Sequence, residues 1–309
     1  DIRTIDLTVD TVPDLNRDTL DIVVVAGPQQ PLGTPGVDAI GSFVDAGGSA
    51  LFLIDKHQVS PESPMMYPVF TGLEGFLEVR GVGTDAGVVL DYGSNSRISM
   101  GQQGSFNVVR PYPLWPIAVR GDPHPTTRDL SDLSLGWGTV LTVTDTAVQR
   151  IWVTTELGAI QAAGGIIMPD ALLEPDRNNF QTLTVAVALD PNAADDDEPA
   201  GTGDDSATGG RMIVIGDVDF LQEQFLQANP QNLVFTLNAI DWLAQDEALI
   251  GIRSKLRTPP VLAFTSEFER VALKWGNLVG VPLLFILLGL VRVTGRRRRA
   301  ETRWKGAPA

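Results

Sequence analysis

Cysteine is absent from the 309-residue sequence. Its absence excludes disulfide bonds, thiolate zinc sites and a cysteine nucleophile. The sequence also lacks the G-x-S-x-G pattern of serine hydrolases and the G-x-x-x-x-G-K-[ST] pattern of P-loop nucleotidases. A cysteine-free chain is compatible with an oxidising or a reducing compartment, so composition alone leaves the location of the protein open.

Basic residues are scarce over most of the chain, which has a formal net charge of -15. The last 18 residues, 292–309, hold seven Arg or Lys and one Glu, so they carry +6 and the preceding residues carry -21. This acidic body argues against nucleic-acid binding. A content of 43% hydrophobic and 20% charged residues is typical of a globular protein, and the length allows one large domain or two ordinary ones.

An uncharged run between Lys274 and Arg292 predicts a membrane-spanning helix over residues 271–293. Its 17 residues are close to the lower limit for crossing roughly 30 Å of hydrocarbon, and flanking basic side chains extend that reach. Arg296, Arg297, Arg298 and Arg299 follow, and such positive flanks remain in the cytoplasm. We therefore expect a protein of the cytoplasmic (inner) membrane with its body outside. The alternative is a buried helix of a soluble domain.

The start of the chain carries no export signal. It begins at Asp1 without Met or an apolar segment, so we expect processing or a preceding sequence that directs translocation. The predicted organisation has four parts: an extracytoplasmic domain (1–254), a juxtamembrane linker (255–270), the membrane helix (271–293) and a basic cytoplasmic tail (294–309).

The first part of the body predicts a βαβ unit. Residues Asp21–Pro28 and Ser49–Ile54 are apolar runs typical of buried strands. Between them, Thr34-Pro35 begins a helix and Gly47-Gly48 ends it. Strand, helix and strand of this size predict parallel strands with both faces of the sheet covered.

The rest of the body is less regular. Residues of about 60–176 are rich in Gly, Pro, Ser and Thr, so we predict an irregular insertion with short strands. An acidic loop is predicted at 193–210; calcium binding there is the alternative, although the ordered ligand spacing is missing. The remaining predicted elements are strands Thr182–Leu189, Arg211–Ile215 and Leu249–Arg253 and an amphipathic helix, Asn232–Ala244.

Acidic residues follow a predicted buried strand in Gly216-Asp217-Val218-Asp219-Phe220. Carboxylates at the carboxyl end of such a strand could bind a metal or act as acid and base. The alternative is structural, because Asp217 and Asp219 could bond the backbone of the following turn. Asp55, with Lys56 and His57, ends another strand and could face the same edge, although charged strand ends are common.

The other histidine of the sequence is His124, in Asp122-Pro-His-Pro125, and it is also a candidate functional residue. This segment is a loop stiffened by proline. We expect His124 to form local hydrogen bonds, and a catalytic role is the alternative.

Several of these segments resemble the auxiliary component of gliding-motility-type ABC transporters. The most specific are Gly216–Phe220 and Asn238–Leu243, which includes Trp242. The resemblance implies a flavodoxin-like or class I amidotransferase-like α/β fold, mainly parallel, that has lost its catalysis. It also implies an ABC ATPase and a multi-span permease as partners.

Two hypotheses of function follow. The first is a non-enzymatic accessory subunit of an ABC-type export or motility complex, without catalytic residues, cofactor or metal, that binds a partner or an envelope ligand outside the cytoplasm. The second is a membrane-anchored hydrolase or glycan-processing enzyme that uses Asp217, Asp219 and His124.

Overall fold

The chain divides into two compact units, Asp1–Ala263 and Phe264–Ala309. The structure, a computed structural model, describes residues 2–59, 65–103, 106–162, 164–168, 177–191 and 209–245 of the first unit. In the second unit it describes residues 271, 274–280, 282–283, 286–287 and 292.

Within the described residues of the first unit, thirteen strands and four α-helices are assigned. In chain order they are β1 (Ile22–Ala26), α1 (Thr34–Asp45), β2 (Ser49–Leu53), β3 (His57–Val59), β4 (Met66–Pro68), α2 (Glu74–Glu78), β5 (Val82–Asp91), β6 (Asn95–Gln103), β7 (Phe106–Arg120), β8 (Asp132–Ser134), β9 (Thr139–Val143), β10 (Val148–Val153), β11 (Gly158–Gln161), β12 (Thr184–Leu189), β13 (Met212–Ile215), α3 (Glu223–Ala228) and α4 (Gln231–Leu243).

The predicted βαβ unit is present. Strands β1 and β2 pair in parallel, with Ile22 opposite Ser49 and Ala26 opposite Leu53. Between them α1 is followed by Gly47 at φ 91°, a conformation that glycine adopts without steric penalty. On its other side β2 pairs in parallel with β13. This pairing places the loops that follow β2 and β13 side by side, and both loops contain acidic residues.

The sheet as a whole corrects the prediction of a mainly parallel architecture. Its order is β1-β2-β13-β12-β10-β7-β6, with β5, β8, β9 and β11 attached to this path. Beyond β13 the described strand pairs are antiparallel. The fold is therefore α/β with a mixed sheet. Antiparallel pairing dominates because short connections join most of the strands between residues 82 and 161, and such connections allow strands to fold back on one another.

The predicted irregular insertion contains the longest strands of the protein. Strands β5, β6 and β7 lie within it, and β6 and β7 form a long hairpin. Prolines hide this regularity in the sequence. Pro111 and Pro116 lie in β7, on either side of a shift in the β6–β7 register. Proline lacks a backbone N–H, so such irregular positions are where a strand tolerates it.

Two hydrophobic clusters cover the faces of the parallel strands. Leu51 and Leu53 of β2 pack in one cluster with α4, whereas Ala50 and Phe52 pack in the other with α1. Residues of β13 alternate in the same way. Successive side chains of a strand point to opposite faces, so α1 and α4 lie on opposite faces of the sheet.

The C-terminal predictions are only partly covered by the described residues. Most of the predicted acidic loop, strand Leu249–Arg253, the linker and the basic tail with Arg296–Arg299 lie outside them. Of the predicted membrane helix, 13 residues are described, including a π-helical turn, Gly276–Gly280. Within the described part of the chain, no helix combines the length and apolar character needed to cross a membrane.

Candidate functional site

Three carboxylates meet at the carboxyl ends of β2 and β13. Asp55 follows β2, and Asp217 and Asp219 follow β13. One oxygen atom of each lies within 4.8 Å of an oxygen atom of the other two. The parallel pairing of β2 with β13 produces this arrangement, because parallel strands end at the same edge of a sheet.

Backbone N–H groups hold these side chains in place. Asp217 Oδ2 accepts the N–H of Gly136 at 2.6 Å, and Asp217 Oδ1 accepts the N–H of Asp219 at 2.6 Å. Asp55 Oδ1 accepts the N–H of Val218 at 3.1 Å. The side-chain amide of Gln222 donates to Asp219 Oδ1. The carboxylates therefore close the turn after β13 and attach it to two other loops.

Close backbone contacts explain the glycine before this turn. Thr139 N donates to Gly216 O at 2.5 Å. A Cβ atom on Gly216 would lie 2.3 Å from the carbonyl oxygen of Thr139. No larger residue fits there without moving the backbone. Thr139 also accepts the backbone N–H of Lys56 on its side-chain oxygen at 3.0 Å, so the same residue contacts both strand ends.

Burial and mutual repulsion raise the pKa values of the three carboxyl groups. Burial, and then the charge of Asp219, raise the pKa of Asp55 to about 7. Asp217 is fully buried, and burial together with its two acidic neighbours raises its pKa well above the usual range. Burial also raises the pKa of Asp219. Burial therefore favours the protonated form of each of these carboxyl groups more than in an exposed aspartate.

The geometry can be compared with two roles, metal binding and a structural role. Carboxylate oxygens are suitable ligands for Ca²⁺ or Mg²⁺, and Asp55, Asp217 and Asp219 are the residues that would contribute them. However, both oxygens of Asp217 already accept N–H bonds, and Ca²⁺ takes six to eight oxygen ligands. The hydrogen bonds instead match the structural interpretation of Asp217 and Asp219.

The two residues after Asp55 point to other partners. Lys56 forms an ion pair with Glu74 and lies beside the ring of Phe70. His57 Nε2 is 2.6 Å from the carbonyl oxygen of Ala86. A carbonyl oxygen can only accept, so Nε2 donates to it, and burial lowers the pKa of His57. Of the three residues at this strand end, Asp55 alone is in the carboxylate cluster.

His124 lies at the other end of β13. Its ring packs edge-to-face on Trp242 at 4.7 Å, and its Nδ1 contacts Thr126 Oγ1 at 2.7 Å. Arg211, the residue before β13, contacts the same ring, with its guanidinium 4.7 Å from the Trp242 ring centre. Six residues of extended chain separate Arg211 from Asp217, which is about 20 Å.

This separation corrects the enzyme hypothesis as it was formulated. That hypothesis required His124 to act together with Asp217 and Asp219. A general base must lie within hydrogen-bond reach of the proton it transfers, directly or through one water. His124 contacts Trp242 near the start of β13, whereas the carboxylates follow its end, so these residues do not form one site.

Comparison with models of protein families shows to which family the chain belongs. A family model described as "ABC-type uncharacterized transport system" matches residues 1–247. The chain belongs to this family. Its match supports an auxiliary component of an ABC-type transport system, so the resemblance drawn from the motifs is confirmed at this level.

No curated protein matches the sequence. Among solved structures, the mmIFT52 N-terminal domain shares 13% identity at a TM-score of 0.46, over 76% of this chain and 83% of its own. A ThuA-like protein from Bacteroides uniformis shares 14% identity at a TM-score of 0.33, over 72% and 69%. These similarities are too low to carry information on function.

The remaining motif residues of this family member are buried. Phe220 lies in the cluster beneath α4, and Asn238 Nδ2 donates to the carbonyl of Thr126 at 3.1 Å. Trp242 packs in the same cluster as Phe220. Gly216–Phe220 and Asn238–Leu243 therefore meet through one core, and each also fixes a neighbouring loop.

Two further residues, Gly136 and Asn232, complete these contacts. Gly136 donates to Asp217 from 81 positions away. Asn232 donates from its Nδ2 to the carbonyl oxygens of Ser134 and Phe220 at 2.8 Å and accepts the N–H of Ser134 at 3.0 Å. Asn232 is the first residue of the predicted helix and one of the residues on which the family resemblance rests, whereas no sequence pattern points to Gly136.

Proposed function

We propose that this chain is a non-enzymatic accessory subunit of an ABC-type export or motility complex. The family match over residues 1–247, which covers nearly the whole predicted extracytoplasmic domain, is the observation that carries the proposal. An auxiliary subunit contributes by binding, and its domain would contact a partner or an envelope ligand outside the cytoplasm. The gliding-motility type is the subgroup that Gly216–Phe220 and Asn238–Leu243 resemble.

The carboxylate cluster supports a role without turnover. Asp217 uses both oxygens to hold backbone N–H groups, and His124 is remote from it. The sequence also has no cysteine nucleophile, serine elbow or phosphate-binding loop. Partner subunits would therefore supply nucleotide hydrolysis and the path across the bilayer, which an ATPase and a multi-span permease provide.

The membrane anchor is part of the proposal. The uncharged run within residues 271–293 and Arg296–Arg299 support one C-terminal span in the cytoplasmic membrane with the body outside. A reporter that is active only in the cytoplasm should function when fused after Ala309. Replacing Arg296–Arg299 by Gln should weaken this orientation. An active export-dependent reporter at Ala309 would instead place the C-terminus outside.

Copurification tests the association. The full chain, purified from membranes in a mild detergent, should carry an ABC ATPase and a polytopic permease. A variant ending at residue 270 should lose the permease, because helix packing in the bilayer is the expected contact. A chain in which residues 271–293 are replaced by an unrelated membrane helix is the matched control, since it keeps membrane attachment. Recovery of the permease by this control would contradict packing through the native helix.

Metal content separates the accessory role from a metalloenzyme at the same cluster. The purified protein should contain no stoichiometric metal, and a chelator should leave its melting temperature unchanged. An enzyme would behave differently: metal would be present, an Asp217→Asn or Asp219→Asn variant would lose it, and cleavage of an envelope substrate would be lost with it. That set of results would replace the accessory role.

A further inference from the structure

A cavity of about 320 Å³ lies between α2, β5 and the loop that follows β4. Its volume is within the range of pockets for small ligands, roughly 300–1,000 Å³. The side chains that give it chemical character are Lys56, Phe70, Glu74 and Glu78. None of the three carboxylates of the cluster lines it, so it is a separate site.

Lys56 and Glu74 form the inner wall of this cavity. Lys56 is only 7% exposed, and its ammonium group donates to Glu74 Oε1. Thr71 donates to the same oxygen from its backbone N–H at 3.0 Å and from its hydroxyl group at 3.1 Å. Burial by itself would raise the pKa of Glu74, but the hydrogen bonds from Lys56 and Thr71 outweigh it and lower the pKa to about 2. Glu74 is therefore a carboxylate at neutral pH.

This arrangement leaves acceptor groups open in the cavity. Three donors converge on Glu74 Oε1, whereas Oε2 accepts no hydrogen bond from the described residues. Glu78 lies four positions later on the same side of α2, is exposed, and has no ion-pair partner in the described part of the chain. The charged residues of the lining are thus one Lys and two Glu, which leaves one net negative charge. Such a lining favours a ligand that is positively charged and donates hydrogen bonds.

Phe70 adds an aromatic surface beside these carboxylates. Its side chain is 67% exposed, although it lies 5.2 Å from the Lys56 ammonium group. Val69 N donates to Lys56 O at 2.8 Å, so the loop that carries Phe70 is fixed at the cavity. A cation is attracted to the face of an aromatic ring. A guanidinium group fits this combination better than an ammonium group, because it is planar, stacks on a ring and bonds carboxylates through a fork of N–H groups.

The charge of the whole body favours a basic partner. The residues before Arg292 carry a net charge of -21, which attracts a basic protein segment and repels a second copy of this chain. We infer that the cavity binds an arginine side chain of a partner protein, which stacks on Phe70 and donates to Glu74 Oε2 and Glu78. This inference rests on the proposed accessory function and specifies its partner contact. The binding itself requires this chain alone.

A pair of small ligands tests the inference. The full chain, purified in an uncharged mild detergent, is titrated with N-acetyl-L-arginine amide by isothermal calorimetry. N-acetyl-L-citrulline amide is the matched ligand, because it has nearly the same shape without the charge. The arginine compound should bind saturably and about tenfold or more tightly than the citrulline compound, since hydrogen bonds between charged groups are the stronger ones.

Three substitutions locate the binding. Phe70→Ala and Glu78→Gln should each weaken binding of the arginine compound by about fivefold or more. Both residues are exposed, so the melting temperature should not change. Tyr67→Ala is the matched control, because Tyr67 is a 52% exposed aromatic residue of the adjacent β4 that does not line the cavity. This variant should bind the arginine compound as tightly as the wild type.

Several results would overturn the inference. They are the absence of saturable binding of the arginine compound, equal affinity for the two compounds, unchanged affinity in Phe70→Ala and Glu78→Gln, and equal weakening in Tyr67→Ala. Copurification of the ATPase and the permease is a separate measurement. Selective binding of the arginine compound without these subunits would support the site and contradict the accessory role, so the two failures can be distinguished.

Discussion

Asp217 Oδ2 accepts the backbone N–H of Gly136 at 2.6 Å and so joins two loops that are 81 residues apart in the chain. The other oxygen of Asp217 accepts the N–H of Asp219 at 2.6 Å. One buried side chain therefore fixes the turn after β13 in two directions. This contact explains why an acidic residue occupies a fully buried position that has no basic partner among the described residues.

Replacing Asp217 should destabilise the domain in proportion to the acceptors that are lost. Asp217→Asn retains one acceptor oxygen, so the free energy of unfolding should fall by about 1 kcal/mol. Asp217→Ala leaves two N–H groups buried without a partner, and the loss should be about 2–4 kcal/mol. Urea unfolding of both variants measures the difference. Equal losses for the two substitutions would contradict the role of two acceptors.

The stability of the domain should fall as the pH rises from 5 to 8. The pKa of Asp55 is about 7 in the folded protein and close to its usual value of 3.8 when unfolded. At pH 5 the folded state therefore binds a proton that the unfolded state lacks, and this stabilisation is lost as the pH passes 7. The expected loss in free energy of unfolding is about 2 kcal/mol.

Asp55→Asn isolates this contribution. The amide oxygen of Asn can still accept the N–H of Val218, whereas the titration is removed. The decline between pH 5 and pH 8 should therefore be smaller in the variant than in the wild type. An unchanged decline would assign the pH dependence to other groups, among them Asp217 and Asp219, whose pKa values are also raised.

Gly216 should tolerate no side chain. Gly216→Ala places a Cβ atom 2.3 Å from the carbonyl oxygen of Thr139, so the backbone has to move at a cost of about 2 kcal/mol or more. Gly75→Ala is the matched control, because its Cβ meets no atom within 4 Å and it lies in the helix α2. This second variant should be more stable than the wild type by about 0.5–1 kcal/mol. Thermal unfolding of the pair tests the contact.

His124 should produce the opposite pH dependence. Burial, and then the charge of Arg211, lower the pKa of His124 to about 4, while Asp190 acts in the other direction. The unfolded histidine binds a proton below pH 6.5, so stability is lost as the pH falls from 6.5 towards 4. In His124→Gln this loss should be smaller by about 2 kcal/mol. If the wild type and the variant lose the same free energy of unfolding between pH 6.5 and pH 4, this result would contradict a buried neutral His124.

The sequence predicted the elements whose signals are local. An apolar run, Thr34-Pro35 and Gly47-Gly48 define β1, α1 and β2, and each signal lies within or beside its own element. The strand before Asp217 was predicted for the same reason. The predicted position of two acidic segments at strand ends followed from these boundaries alone.

The sequence could not predict contacts between distant segments. Pairing of β12 with β13 is antiparallel, and no residue of either strand specifies that direction. Prolines and glycines obscured β7, whose regularity arises from its hairpin with β6. Gly136, which is essential to the Asp217 contact, carries no side chain that a sequence pattern could reveal.

The four residues of β13 determine how the two polar clusters at its ends respond to mutation. Energetic effects of substitutions more than about 7–10 Å apart usually add within about 0.5 kcal/mol. Arg211, which contacts the same Trp242 ring as His124, lies about 20 Å along the extended chain from Asp217. A chain that carries substitutions in both should therefore lose the sum of the two single losses, and evolution could change one end of the strand without compensation at the other.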